Sequence, residues 1–437
     1  MSYDALGALF INIMSFGAKP DGETLCSAAI QFAVETCVSK GGGTVFVPSG
    51  TFLTGPIELK SNIRLYLDAG ARLVFSTDKL LYPVIESRWE GSENFVYMPM
   101  IYGRGINHVS IEGNGIIDGQ GAFWWEGFRN KTLDYPRPRL ISLEESESIL
   151  IENVTCVNSP AWTINPIRSS NITINNVKIR NPADSPNTDG INPDSCRNVR
   201  ISNCHVDVGD DCITLKSGIE KSRYRIACEN IIISNCTLVH GHGGVVIGSE
   251  MSGGVKNVII SNCIFQGTDR GIRIKTRRGR GGVVEDIHVS TVIMKDVLCP
   301  IVIHCFYFCG EGGKEKVVAD KNPHPVTLAT PVIRNIHFSN LTAKNAHSSA
   351  AFLYGLPEAP ISQISFQNVF ISMAENAEPQ IPAMMEGIDP MAKRGIFCCN
   401  VEGISFERVS VTNHEGPKYC LNAVKDVDFF GEPSGSL

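Results

Sequence analysis

One six-residue pattern is written seven times between residues 171 and 368. The copies are Asn171-Ile-Thr-Ile-Asn-Asn, Asn198-Val-Arg-Ile-Ser-Asn, Asn230-Ile-Ile-Ile-Ser-Asn, Asn257-Val-Ile-Ile-Ser-Asn, Asp286-Ile-His-Val-Ser-Thr, Asn335-Ile-His-Phe-Ser-Asn and Gln363-Ile-Ser-Phe-Gln-Asn. Successive starts lie 27, 32, 27, 29, 49 and 28 residues apart. A period in the high twenties restricts the chain to a solenoid, because one such unit cannot bury its apolar face and must stack on its neighbours. In each copy the second and fourth residues are apolar and the third is often polar, the alternation of a strand with one buried face. Helical repeats are disfavoured: the sequence between copies is rich in Val, Ile, Thr and Asn and lacks sustained 3.6-residue periodicity.

The pattern therefore predicts an all-β chain folded as a right-handed parallel β-helix. Weaker copies at Asn62-Ile-Arg-Leu, His108-Val-Ser-Ile, Ser148-Ile-Leu-Ile and Gly403-Ile-Ser-Phe extend it over most of the sequence. The expectation is a single domain over residues 1–437, with coils from about residue 40 and loop insertions near 78–102 and 307–331. An open coil end needs a lid. Thr24 is the expected N-cap of a helix over about 24–39, with Ala29, Ile30, Phe32, Ala33 and Cys37 on its inner side and Gly41-Gly42-Gly43 ending it.

Composition removes several functional classes. Of 437 residues, 43% are hydrophobic and 19% charged, as in soluble proteins with a large core. The formal charge of −6 offers no global field for nucleic acid, and Arg277-Arg278-Gly279-Arg280 is a local basic run. No apolar run reaches about 18 residues, so no membrane helix is expected. The fifteen cysteines lack the spacing of a disulfide framework or a metal site. Cys204, Cys236 and Cys263 recur in Ser-Asn-Cys and fit an interior stack, while Cys398-Cys399 and Cys305 with Cys309 are the alternative candidates for oxidation. There is no Lys or Arg before Lys19, and the apolar stretch at 5–13 is broken by Asn12. No signal peptide is read, and a cytoplasmic setting is expected, or a secreted one if a leader has been removed.

Candidate chemistry concentrates between Asn187 and Lys275: Asn-Thr-Asp at 187–189, Asp-Asp at 210–211, Gly-His-Gly at 241–243 and Arg-Ile-Lys at 273–275. Asp210 and Asp211 follow Asp189 by 21 and 22 residues, slightly under one coil. With strands about 4.8 Å apart, the three acids fall within reach of one sugar. Turn-forming Asp is the plainer reading of any one of them. Strict alternation would send Asp210 and Asp211 to opposite faces, so a kink at Gly209 is expected. His242 sits among glycines that admit close approach; the rival phosphate loop lacks its Gly-Lys-Ser/Thr. Arg273 and Lys275 alternate along one strand and suit a carboxylate, with solvated strand charges as the alternative. Tyr307, on the next coil, is either a ligand or a core aromatic.

These motifs, in this order on this repeat, resemble glycoside hydrolase family 28, the polygalacturonase family, over nearly the whole chain from Ser15-Phe-Gly-Ala-Lys-Pro-Asp-Gly onward. The resemblance implies a right-handed parallel β-helix and hydrolysis with inversion. It implies Asp210 as general acid, Asp189 and Asp211 as activators of water and His242 as support for the acid. Arg273, Lys275 and Tyr307, with Asn187 a weaker member, become substrate-binding residues. No metal or organic cofactor is called for. The implied partner is a galacturonic-acid-containing oligosaccharide or pectin, with neither nucleic acid nor membrane.

Three departures from the endo-acting pattern are similar to exo-acting members. One residue is added between His242 and Ile247, followed by Glu250-Met-Ser-Gly-Gly. Lys216 replaces an Asn, and an additional stretch at 82–102 contains Arg88, Glu90 and Tyr97. The expectation is release of galacturonate from the non-reducing end. Endo-polygalacturonase and rhamnogalacturonan or xylogalacturonan hydrolase are alternatives within the class. A silent polysaccharide-binding β-helix and a calcium-dependent pectate lyase are the alternatives outside it.

Overall fold

Each repeat copy forms a strand whose second and fourth residues point inward. In Ser170–Asn175 and Arg197–Ser202 the burial follows the predicted alternation, and Ile172 lies opposite Val199 and Ile174 opposite Ile201 in parallel register. The structure, a computed structural model, describes residues 2–3 and 9–431. These fall into two compact units, one running to Trp89 and again from Glu93 to Asp210, the other comprising Glu90–Ser92 and the chain from Asp211. Both are of the right-handed parallel β-helix class that the repeat predicts.

In the first unit one inward position runs unbroken through six coils as Val45, Leu65, Ile111, Ile151, Ile174 and Ile201, all buried. The second unit has an equivalent stack: Ile233, Ile260, Val289, Phe338, Phe366, Phe406 and Phe429. Its phenylalanines stack ring on ring, with centroids 5.1 to 5.4 Å apart. Such like-on-like burial holds the register, since a one-residue slip would turn every inward side chain to the opposite face. The Asn that opens five of the seven copies has its own cause. Asn171, Asn198, Asn230 and Asn257 all lie in the left-handed region, at φ 54 to 59°, which Asn tolerates better than most residues. Their amides also bond coil to coil, Asn198 to Asn171 and Asn257 to Asn230 at 3.0 Å.

The capping helix runs from Ser27 to Ser39 and buries Ile30, Ala33, Val34 and Cys37. Two details differ from the sequence expectation. Thr24 belongs to the strand Asp21–Leu25, and its hydroxyl donates to Asp21 Oδ2 instead of capping the helix. Phe32 is 56% exposed, packing edge-on to Phe16, while Val34 takes the inner position. Cys204, Cys236 and Cys263 are buried as expected, and Cys305, Cys309, Cys398 and Cys399 stand as thiols. The first insertion forms the strands Val84–Trp89 and Ser92–Tyr97, which pair with each other; the second carries the short helix Lys316–Ala319. Among the described residues no helix is long and apolar enough to cross a membrane.

Candidate active site

The site residues of the first unit sit where strands give way to tight bends. The strand His205–Val208 ends at Gly209, and a Cβ there would fall 2.4 Å from the Ser185 carbonyl oxygen. Only glycine allows this approach, and the bend it permits is the kink expected ahead of Asp210. The Gly209 N–H reaches the Thr188 hydroxyl at 3.3 Å, tying the Asp210 corner to the Asn187–Asp189 corner. Carboxylate oxygens of Asp189 and Asp210 come within 4.8 Å of each other. Asp189 is buried, and the Asn192 amide donates to its Oδ2 at 2.8 Å. Asn187 serves the framework of this corner. Its Oδ1 accepts from Arg137 at 2.7 Å, and the same guanidinium holds the carbonyls of Pro160 and Pro186.

In the second unit Asp211 is 1% exposed, and two cations answer its charge. Lys275 Nζ donates to Oδ2 at 2.9 Å, and Arg273 lies 3.6 Å from Oδ1. Burial pushes the Asp211 carboxyl up, but the Lys275 and Arg273 charges and the Lys275 hydrogen bond outweigh it and hold it at about 2. Arg273 and Lys275 are themselves 1% and 6% exposed, so they are not solvated strand charges. Tyr307 joins them: Lys275 Nζ is 5.1 Å and the Arg273 guanidinium 5.8 Å from its ring centre, within cation–π range. A second buried pair lies nearby in sequence, with Lys216 Nζ 3.1 Å from Glu250 Oε2. Burial raises the Glu250 carboxyl, yet Lys216, Arg280 and Lys275 bring it down to about 2.

His242 is exposed, and its Nδ1 lies 2.7 Å from Asp269 Oδ2. Its carbonyl oxygen accepts from Arg273 at 3.4 Å, which links it to the cationic strand. The sequence reading missed Asp269, although the 27-residue step back to His242, about one coil, was available as a signal. It also missed His304, which lies opposite Lys275 in the next strand. His304 is fully buried, and burial together with Arg273, Arg270, Lys275 and Lys321 keeps its imidazole well below the ordinary value, hence neutral.

Two groups singled out from the sequence are structural. Arg88 is buried on Asp194 at 2.8 Å and Ser195 at 2.9 Å, so it fastens the first insertion instead of facing a ligand. The basic run is also consumed internally: Arg277 and Arg280 share Glu220, and Arg278 forms a fork with Glu358.

Comparison with known proteins identifies the family. The model of glycosyl hydrolases family 28 matches residues 37–385. The chain belongs to that family. A relative named a probable polygalacturonase, from Vitis vinifera, is 38% identical over 406 residues, covering 90% of this chain and 78% of its own. An endo-polygalacturonase from Pectobacterium carotovorum subsp. carotovorum is 32% identical over 67% of this chain and 75% of its own. Among solved structures, an exopolygalacturonase from Thermotoga maritima is similar with a TM-score of 0.74 and 29% identity, covering 97% of this chain and 92% of its own. The family 28 exopolygalacturonase of Yersinia enterocolitica, at 21% identity and a TM-score of 0.82, shares the fold. The protein is thus a glycoside hydrolase of the polygalacturonase family, and its family implies pectin or polygalacturonate as substrate.

Proposed function

We propose that the protein hydrolyses α-1,4-galacturonosidic bonds and removes galacturonate from the non-reducing end of pectic chains. The observation that carries the substrate class is the buried Lys275–Asp211–Arg273 group, with Lys275 2.9 Å from Asp211. Two cations kept from water by Tyr307 and the strand around them suit a uronate carboxylate, Arg273 by its planar fork and Lys275 as a point charge. Asp211 answers only one of the two positive charges, and a neutral sugar would leave the excess unmatched.

The division of labour among the acids follows from their surroundings. Asp211, held ionised, is unsuited to giving up a proton and fits a base. Asp189, accepting an amide hydrogen bond from Asn192, fits the same role. Asp210 remains as the acid: it protonates the departing glycosidic oxygen while Asp189 and Asp211 take a proton from the attacking water, whose oxygen bonds to the anomeric carbon. A substrate carboxylate that draws Lys275 and Arg273 towards itself loosens their hold on Asp211 and makes it a better base. Inversion is the outcome carried over from the resemblance; carboxyls of inverting enzymes ordinarily stand about 6.5–9.5 Å apart, wider than the nearest Asp189–Asp210 approach.

Two features support exo action. The tip of the first insertion is fastened within the second unit: the Ser222 hydroxyl donates to the Gly91 carbonyl, and the Ile219 N–H reaches it at 3.3 Å. The Lys216–Glu250 pair stands where endo-acting relatives are expected to differ. The similarity to an endo-polygalacturonase keeps internal cleavage as the second reading. Product analysis on galacturonate oligomers of defined length decides between them: monomer alone from the earliest time points supports exo action, and mixed internal fragments support the endo reading.

A further inference from the structure

We propose that Asp269 is a positioning residue, whose carboxylate accepts the Nδ1 proton of His242 and so presents the Nε2 edge of the ring to the substrate. The inference rests on the reading of His242 as part of the hydrolytic machinery, and it goes beyond that reading by naming what orients the ring.

The geometry is direct. His242 Nδ1 and Asp269 Oδ2 are 2.7 Å apart, in the range of a charge-assisted bond. An ionised carboxylate offers only acceptors, so the shared proton belongs to Nδ1 and the tautomer is decided. Asp269 stays ionised: burial raises its carboxyl, but the His242 hydrogen bond and the Arg270 charge more than offset this. With the His242 side chain 53% exposed, a hydrogen bond is the natural means of fixing its orientation.

Asp269 is itself held on both sides. Its N–H donates to the Gly241 carbonyl at 2.9 Å, which locks it one coil from the histidine. The Arg270 guanidinium lies 3.5 Å from Oδ2 and is anchored through the carbonyls of Pro382 at 3.0 Å and Ile381 at 2.8 Å. Arg273 in turn donates to the His242 carbonyl at 3.4 Å. The charged groups facing this pair within the second unit are therefore Arg270, Arg273 and, beyond Gly243, Asp211. A carboxylate that orients an imidazole without touching the substrate is a recurring device in hydrolases.

The test uses the full-length protein and two readouts. Histidine-selective ¹⁵N NMR, with the His242 signal assigned by its loss in His242→Asn, should show a protonated Nδ1 in the unmodified protein and a mixture of tautomers in Asp269→Ala. In steady-state hydrolysis of trigalacturonate, Asp269→Ala should lower kcat by about tenfold or more, with KM nearly unchanged. Asp269→Asn keeps an acceptor oxygen without the charge and should fall between the two, and it serves if the alanine variant does not fold. An unchanged tautomer with unchanged kcat, or a raised KM with kcat intact, overturns the proposal. If the unmodified protein leaves galacturonate oligomers uncut, the functional reading fails while the NMR comparison still decides the role of Asp269.

Discussion

Lys275 Nζ lies 2.9 Å from Asp211 Oδ2, and both side chains are almost wholly withdrawn from water. A pair in this setting is costly to break, because removing one partner strands the other's charge in a poorly solvating interior. Binding and stability are therefore joined at one contact. Lys275→Met should lower stability by about 3–5 kcal/mol as well as lowering kcat/KM on trigalacturonate. Lys275→Met with Asp211→Asn should be more stable than Lys275→Met alone, as read from urea midpoints. If the double variant is the less stable of the two, Asp211 is not the charge that Lys275 compensates.

The acid assignment makes a kinetic prediction with little structural consequence. Asp210 is half-buried, and Asp210→Asn changes no side-chain volume to speak of. Turnover should fall by about 10²–10⁴-fold, the ordinary worth of general acid help, with an unchanged melting temperature. Wild-type turnover in this variant would falsify the assignment.

Asp211 and Glu250 are each held at about 2, against ordinary values of 3.8 and 4.5. A carboxyl whose pKa is lowered on folding contributes stability that is complete above its unfolded value and disappears as pH drops through its folded one. Unfolding free energy from urea titrations should accordingly be level near neutrality and decline between about pH 4.5 and pH 2. Replacing Lys216 by Met and Glu250 by Gln together should make that decline shallower. An identical acid profile in the double variant would remove this pair from the account.

The exo reading depends on the seating of Gly91, whose φ is +85° and whose Cβ, if present, would lie 2.6 Å from Ile219 Cγ2. Valine at this position meets both backbone strain and a clash, so Gly91→Val should unseat the insertion tip. Early products from long polygalacturonate, separated by anion-exchange chromatography, should shift from monomer towards dimers and longer fragments. Monomer as the sole early product of both proteins would show that the tip has no part in product length. A rapid loss of viscosity with the unmodified protein would favour the endo reading.

The coil and the inventory of reactive groups were legible along the chain. Apolar residues at the second and fourth places of a repeated hexapeptide have one way to be buried together, and Ile174 over Ile201 or Phe338 over Phe366 follows from that local rule. The acids, His242, Arg273 and Lys275 could be picked out for a related reason: their spacing is close to the coil period, so distance along the chain converts into distance between coils. Which charge answers which was settled only by tertiary packing. The Lys275–Asp211 pair, 64 residues apart, and the Lys216–Glu250 pair, 34 apart, depend on which side chains loops withdraw from water, and no periodicity encodes that. The same holds for Arg88, part of the exo-like stretch at 82–102 in sequence and a buried partner of Asp194 across 106 residues in the fold. The arginines of the basic run at 277–280 likewise turned inward to carbonyls and carboxylates. Backbone periodicity is a local property and can be read along the chain. Desolvation depends on everything packed around a group, and it is desolvation that makes Asp211 a buried anion and Lys275 its necessary partner.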